Sequence, residues 1–173
     1  MSHVRSFGAV VGHEPRVLIL GSMPGIASLE QHQYYAHPRN AYWPIMGDLF
    51  GVDPGLPYER RLRALTECGI ALWDVLESCF RPGSLDSNID DDTVRPNDFA
   101  TLFAEHPSIR YVFFNGGKAA TVFRRRVMPE LDEDARDRVF RTLPSTSPAH
   151  ASRSYAQKLD EWAIVKEALQ RKS

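Results

Sequence analysis

Val17-Leu18-Ile19-Leu20 runs without a polar residue into the turn Gly21-Ser22-Met23-Pro24-Gly25. An apolar run of this length with no alternation marks a strand buried on both faces, as in parallel sheets covered by helices. Three further runs follow: Ile70 to Leu76, Tyr111 to Phe114 stopped by Asn115-Gly116-Gly117, and Val139 to Leu143 closed by Pro144. Helical segments separate them. Trp43 to Phe50 carries Pro44 in its first turn, and an Arg-rich helix runs through Arg60 to Thr66. Asn97 is the expected N-cap of Phe99 to Glu105, which Pro107 stops. Lys118 to Val127 and Tyr155 to Gln170 complete the helices, and Leu159, Trp162, Ile164, Val165 and Leu169 of the last fall on or near one stripe. Strands alternating with helices imply βαβ units. The expected fold is therefore α/β: one three-layer α/β/α domain over residues 1–173, with a central, mostly parallel four-stranded sheet.

Composition narrows the class. At 173 residues, 43% hydrophobic and 25% charged, the chain matches one soluble domain rather than a disordered or fibrous protein. No window of 18 apolar residues exists, so no membrane-spanning helix is expected. The stretch MSHVRSFGAVVGHEP has neither a continuous apolar segment nor an A-x-A-like site, which points to a cytoplasmic, nucleoid-associated protein without a signal peptide. Cys68 and Cys79 are too few for a disulfide framework, a zinc site or an iron–sulfur cluster, so neither metal nor cofactor is expected. A net charge of −1 excludes a polycation that coats nucleic acid nonspecifically. Of the 21 cations 17 are Arg. That bias fits a GC-rich genome or a face that forks onto phosphates, and composition does not choose.

Parallel sheets bind ligands beyond the carboxyl ends of their strands. Four segments fall there: Gly21–Asn40, Trp73–Asn88, Asn115–Lys118 and Pro144–Ser152. The first holds a turn whose glycines allow close approach of a ligand, although it matches neither GxxxxGK[ST] nor GxGxxG. It continues into Gln33-Tyr34-Tyr35-Ala36-His37-Pro38-Arg39-Asn40-Ala41-Tyr42-Trp43-Pro44, with four aromatics, a His, an Arg and an Asn in twelve residues. Tyr42 and Trp43 suit a core; Tyr34 and Tyr35, in a polar stretch, suit it less. Aromatics beside an Arg can grip a base and its phosphate. The hydroxyl-rich loop Ser145-Thr146-Ser147-Pro148-Ala149 is either a capped connection or a grip on a phosphodiester, aided by the start of the last helix.

In this order, Gly21–Gly25, His37–Asn40, Gly83-Ser84-Leu85-Asp86-Ser87 and Ser145–Ala149 resemble the uracil-DNA glycosylase superfamily. The likeness spans about Arg16 to Ser152 and is nearest to the hypoxanthine-DNA (deoxyinosine) branch, which is related to the mismatch-specific uracil/thymine enzymes. The resemblance implies monofunctional hydrolysis of the N-glycosidic bond of a deaminated base, hypoxanthine first and uracil second, flipped out of double- or single-stranded DNA. It also implies a monomer with no membrane partner.

The same resemblance assigns roles. Met23 replaces a water-positioning Asn or Asp, which leaves it a base-contacting position and Asn40 the catalytic amide. Asn40 could instead cap the next helix. Tyr35 matches the aromatic that stacks on the base, His37 either touches the base or braces its loop, and Arg39 meets a phosphate. Asp74 would accept from the N1–H of hypoxanthine or orient the Gly83–Ser87 loop, and Asp86 and Ser87 carry the same two alternatives. Ser145, Ser147, His150, Ala151 and Ser152 would contact DNA, with His150 where an Asn is usual and a small residue where a wedge is usual. Two rivals remain at this level: a lyase using Lys118 as nucleophile, and a noncatalytic nucleic-acid-binding module. The near-zero charge also predicts that DNA binds one face, with Asp90–Asp92 and Glu130–Asp137 turned away.

Overall fold

Val17–Gly21 (β2) forms a central strand of a sheet, preceded by the short strand His3–Arg5 (β1), in a computed structural model that describes residues 3–171. Residues 1–2 and 172–173 of the expected domain lie outside the described residues. The helices Ile26–Gln31 (α1), Tyr42–Phe50 (α2) and Tyr58–Glu67 (α3) lead to Ile70–Asp74 (β3), Leu76–Phe80 (β4) and Asp90–Pro96 (β5). Then come Phe99–Glu105 (α4), Tyr111–Asn115 (β6), Gly117–Val122 (α5), Glu133–Arg136 (α6), Val139–Leu143 (β7) and Tyr155–Gln170 (α7).

The main sheet is parallel and runs β3-β2-β6-β7. Its register aligns Val17 with Ile70 and Tyr111, and Gly21 with Asp74, so the strands finish together on one edge. Every residue of β2 is buried because the two faces of the sheet serve two cores. Leu18 and Leu20 face a cluster with Phe99, Phe114 and Phe123, while Val17 and Ile19 face Tyr42, Trp43 and Trp162. This alternation within an all-apolar strand is what both-face burial produces. On α7, Trp162, Val165 and Ala168 are buried against the second core.

Four expectations change. The run Ile70–Leu76 is not one strand: it stops at Asp74, and Leu76 opens β4 in a separate sheet of order β1-β4-β5. The switch is held by Val75 N–H on Gly21 O at 2.8 Å and Leu76 N–H on Ser22 O at 3.2 Å. The N-cap of α4 is Asp98, whose side chain accepts from Thr101 N–H, while Asn97 donates to Asp74 O at 2.8 Å. The helix expected over Lys118–Val127 is α-helical only to Val122 and widens to a π-turn at Phe123–Val127. The last loop does not start the last helix; Ser154 caps α7 in a capping box with Gln157. Among the described residues no helix is long and apolar enough to cross a membrane.

Ile19 has no exposure and belongs to the core cluster with Tyr42, Trp43 and Trp162. Ile19→Ala therefore lowers the unfolding free energy by about 3 kcal/mol in chemical denaturation, with an unchanged denaturant slope.

Candidate active site

The aligned ends of β2, β3, β6 and β7 open into a cleft of about 760 Å³. That size accommodates a nucleobase with its sugar. Its floor is set by one close approach. An added Cβ on Gly21 would lie 2.5 Å from Asp74 Oδ1 and 3.2 Å from the Tyr35 hydroxyl. Any side chain there would have to displace the buried Asp74 carboxylate and crowd the Tyr35 hydroxyl. Tyr35 reaches this point from a left-handed backbone (φ 56°), with its ring stacked on Tyr42 at 4.1 Å between centroids. A tyrosine in that conformation costs on the order of 1 kcal/mol, which the stack and the surrounding core must offset.

Two polar atoms at this floor, the Tyr35 hydroxyl and Asp74 Oδ2, are buried without a hydrogen-bond partner among the described residues. Burial and the nearby Asp86 carboxylate push the Asp74 carboxyl up to about 7, against the opposing pull of Arg81. Asp86 is itself raised by burial, with Ser22 Oγ donating to it at 2.6 Å as a partial compensation.

Arg81 carries no signal of its role in the sequence. It is 1% exposed, donating from Nη2 to Pro24 O at 2.7 Å and from Nε to Gly83 O at 2.8 Å. It thus fastens the Gly21–Gly25 turn to the Gly83–Ser87 loop. An arginine next to Pro-Gly reads as surface, since arginines are almost never fully buried unless paired. No periodic signal could have found it.

The His37–Asn40 segment forms a tight turn. His37 Nδ1 accepts from Arg39 N–H at 3.1 Å, and His37 O accepts from Asn40 N–H at 2.9 Å. The bracing role is thus filled, and with Nδ1 accepting, Nε2 carries the proton. Asn40 Oδ1 accepts from Tyr42 N–H at 2.9 Å, one residue ahead of the α2 N-cap, which is Ala41 and carries no side-chain cap. The amide keeps its Nδ2 donors and a second Oδ1 lone pair. Asn115 pins the last loop with a two-way bond to Thr146: Nδ2 to Oγ1 and Thr146 N–H to Oδ1, each 2.9 Å. Ala41 N–H on Thr146 O at 3.0 Å then couples that loop to the catalytic candidate.

The structure brings most expected positions together. Met23, Tyr35, His37, Arg39, Asn40, Asp74, Asp86, Ser87, Ser145, Ser147 and His150 all line the cleft. Ala151 and Ser152 do not; they are exposed beyond it, and Ser152 Oγ lies 3.4 Å from His150 Nε2. Tyr34, expected to be less suited to a core, is 3% exposed and packs edge-on against Phe7 with its hydroxyl on Gly8 O. Of the acidic run Asp90–Asp92, none lines the cleft, but Asp91 pairs at 2.7 Å with Lys118, which does. That bond also occupies the amine a lyase would need.

A parallel α/β/α domain whose strand ends frame a cleft with an amide, an aromatic and a buried carboxyl has the form of a base-excising enzyme. The sequence profile of the uracil DNA glycosylase superfamily matches residues 8–170, and the chain belongs to that superfamily. It is 34% identical to the hypoxanthine DNA glycosylase of Methanosarcina acetivorans over 163 residues, covering 93% of this chain and 96% of that protein. Against the hypoxanthine DNA glycosylase of Methanosarcina barkeri it is 39% identical over 116 residues, 66% of this chain and 72% of that one. A solution NMR structure of a candidate uracil DNA glycosylase from Methanosarcina acetivorans superposes with a TM-score of 0.79 at 32% identity, covering 98% and 99% of the two chains.

The Asp74 shift has a stability consequence. The folded carboxyl titrates near 7 and the ordinary one at 3.8, so folding takes up a proton between them. Its contribution is full below about 3.8, is lost progressively as pH rises from there, and is gone above about 7. Asp74→Asn removes that loss. Thermal unfolding followed by circular dichroism should show the variant melting several degrees above the parent at pH 8, with the gap narrowing steadily as pH falls from about 7 toward 3.8.

Proposed function

We propose that the protein is a monofunctional DNA glycosylase that hydrolyses the bond between hypoxanthine and deoxyribose in DNA, with uracil as a secondary substrate. The observation that carries this reading is the pair of unpartnered oxygens on Tyr35 and Asp74 beside Gly21. Deamination converts a ring nitrogen acceptor and an exocyclic amine donor into an N–H donor and a C=O acceptor. A carboxylate accepts from that N–H and a phenol donates to that C=O, so the pair favours the deaminated edge over adenine or cytosine. An intact amino base turns a ring-nitrogen acceptor toward the carboxylate, while the phenol oxygen can accept from its amine, so the rejection rests on Asp74.

Hydrolysis then follows from the rest of the cleft. The base leaves as C1′–N bond cleavage builds oxocarbenium character on the sugar, and negative charge develops on the base. Asn40, held at its Oδ1 by Tyr42, presents Nδ2 and the remaining lone pair to orient water toward C1′. An amide is no base for the water's proton, which passes through solvent to the departing base anion as C1′–OH forms, so the chemical step is slow. His37 Nε2–H, Ser145 and Ser147 offer donors to the sugar-phosphate, and Arg39 is exposed at the mouth for the same purpose.

The test is excision from duplexes carrying inosine, uracil or xanthine opposite each base, followed by alkaline cleavage of the abasic product. Inosine should be removed fastest; well-folded protein that cuts none of them contradicts the reading. Asn40→Ala should lower the single-turnover rate about 100-fold while its melting temperature falls only a few degrees from loss of the bond to Tyr42 N–H. Full activity in that variant would remove Asn40 from the mechanism.

A further inference from the structure

Among the described residues five large apolar side chains are exposed, and two of them, Ile26 (46%) and Leu85 (49%), stand on the rim of the cleft. They come from different elements: Ile26 opens α1, and Leu85 sits in the loop between β4 and β5. Ile26 N–H donates to Ser84 Oγ at 2.8 Å, so the two are held side by side. The mount beneath them is stiff. Arg81 ties Pro24 O to Gly83 O, and Ser22 Oγ bonds Asp86 Oδ1. Four short bonds therefore lock these two loops into one unit that presents apolar groups outward.

Across the cleft the last strand's loop offers nothing comparable. Ala149 and Ala151 are small and exposed, and His150 leans on Ser152. A base extruded from a duplex leaves a gap that costs a few kcal/mol in lost stacking, and an apolar side chain inserted between base steps compensates part of it. Leu85 and Ile26 are the large apolar groups at the mouth that are both exposed and rigidly held.

We propose that Leu85, supported by Ile26, is the wedge that enters the duplex beside the extruded nucleotide, on the β4–β5 side of the cleft. This rests on the reading of the cleft as a DNA glycosylase site. The occupant is the base stack flanking the lesion. A wedge acts only where there is a stack to open, so its removal matters in duplex DNA and not in a single strand, where the base is already free.

The experiment compares single-turnover excision of inosine from a paired duplex and from the same strand alone. Leu85→Ala should lower the duplex-to-single-strand rate ratio about tenfold, Ile26→Ala should lower it less, and Leu85→Met should preserve it. A ratio unchanged in Leu85→Ala overturns the proposal, as does an equal loss on both substrates. A second readout is independent of catalysis. With 2-aminopurine beside the inosine and protein at saturation, parent protein should brighten the fluorescence by unstacking, and Leu85→Ala should leave it near the free-duplex level. If the parent excises inosine from neither substrate, the glycosylase reading fails, while the fluorescence still decides for or against the wedge.

Discussion

The end of strand β2 against strand β3 governs this molecule. Gly21 lies so close to Asp74 that a single methyl group there would stand 2.5 Å from Oδ1. The contact follows from the parallel register that pairs Gly21 with Asp74. It brings a carboxyl to the head of the sheet, where burial raises its proton affinity and no partner takes its second oxygen. The chain then turns away on both sides of the contact, β2 into the Pro-Gly turn and β3 through Val75 into the second sheet. Those two exits frame the cleft.

What holds the frame is polar and largely buried. Arg81, Ser22 and Asp86 join the two exits, while Asn115 and Thr146 join β6 to the last loop and, through Ala41, to Asn40. Buried polar networks of this kind contribute little net stability but specify one arrangement, since breaking any member strands a partner. The cleft can thus keep Tyr35 in an unfavourable backbone conformation and leave two oxygens unpaired. Both features cost stability and are tolerated where a ligand uses them.

Three of the four parallel strands were legible because both-face burial writes itself as near-continuous apolar sequence, as in Val17–Leu20 and Tyr111–Phe114. The edge strand Val139–Leu143, mostly exposed and carrying Arg141 and Thr142, was marked instead by the Pro144 that closes it. The antiparallel sheet was not. Its strands Leu76–Phe80 and Asp90–Pro96 are short, carry charge, and pair with shifts at Leu76/Ser78 and Ser78/Phe80, so no two-residue alternation survives. The apolar run through Asp74-Val75-Leu76 also hides the switch between sheets, because both sides of the switch are buried. Most cleft residues were legible from unusual side chains in loops after strands. Arg81 and Asn115–Thr146 were not, because their roles lie in pairings between segments distant in sequence. Asn40 illustrates both: its place was readable, while its bond to Tyr42 required coordinates.

If the Asp74 carboxylate receives the lactam N–H of the damaged base, excision depends on its ionisation. The decisive measurement is the single-turnover rate of inosine excision from pH 5.5 to 8.5. With Asp74 in that role, the rate rises with pH below about 7 and levels above it, and the rise is absent in Asp74→Asn. A profile without that rise in the parent protein, or one that keeps the same rise in Asp74→Asn, would contradict that role.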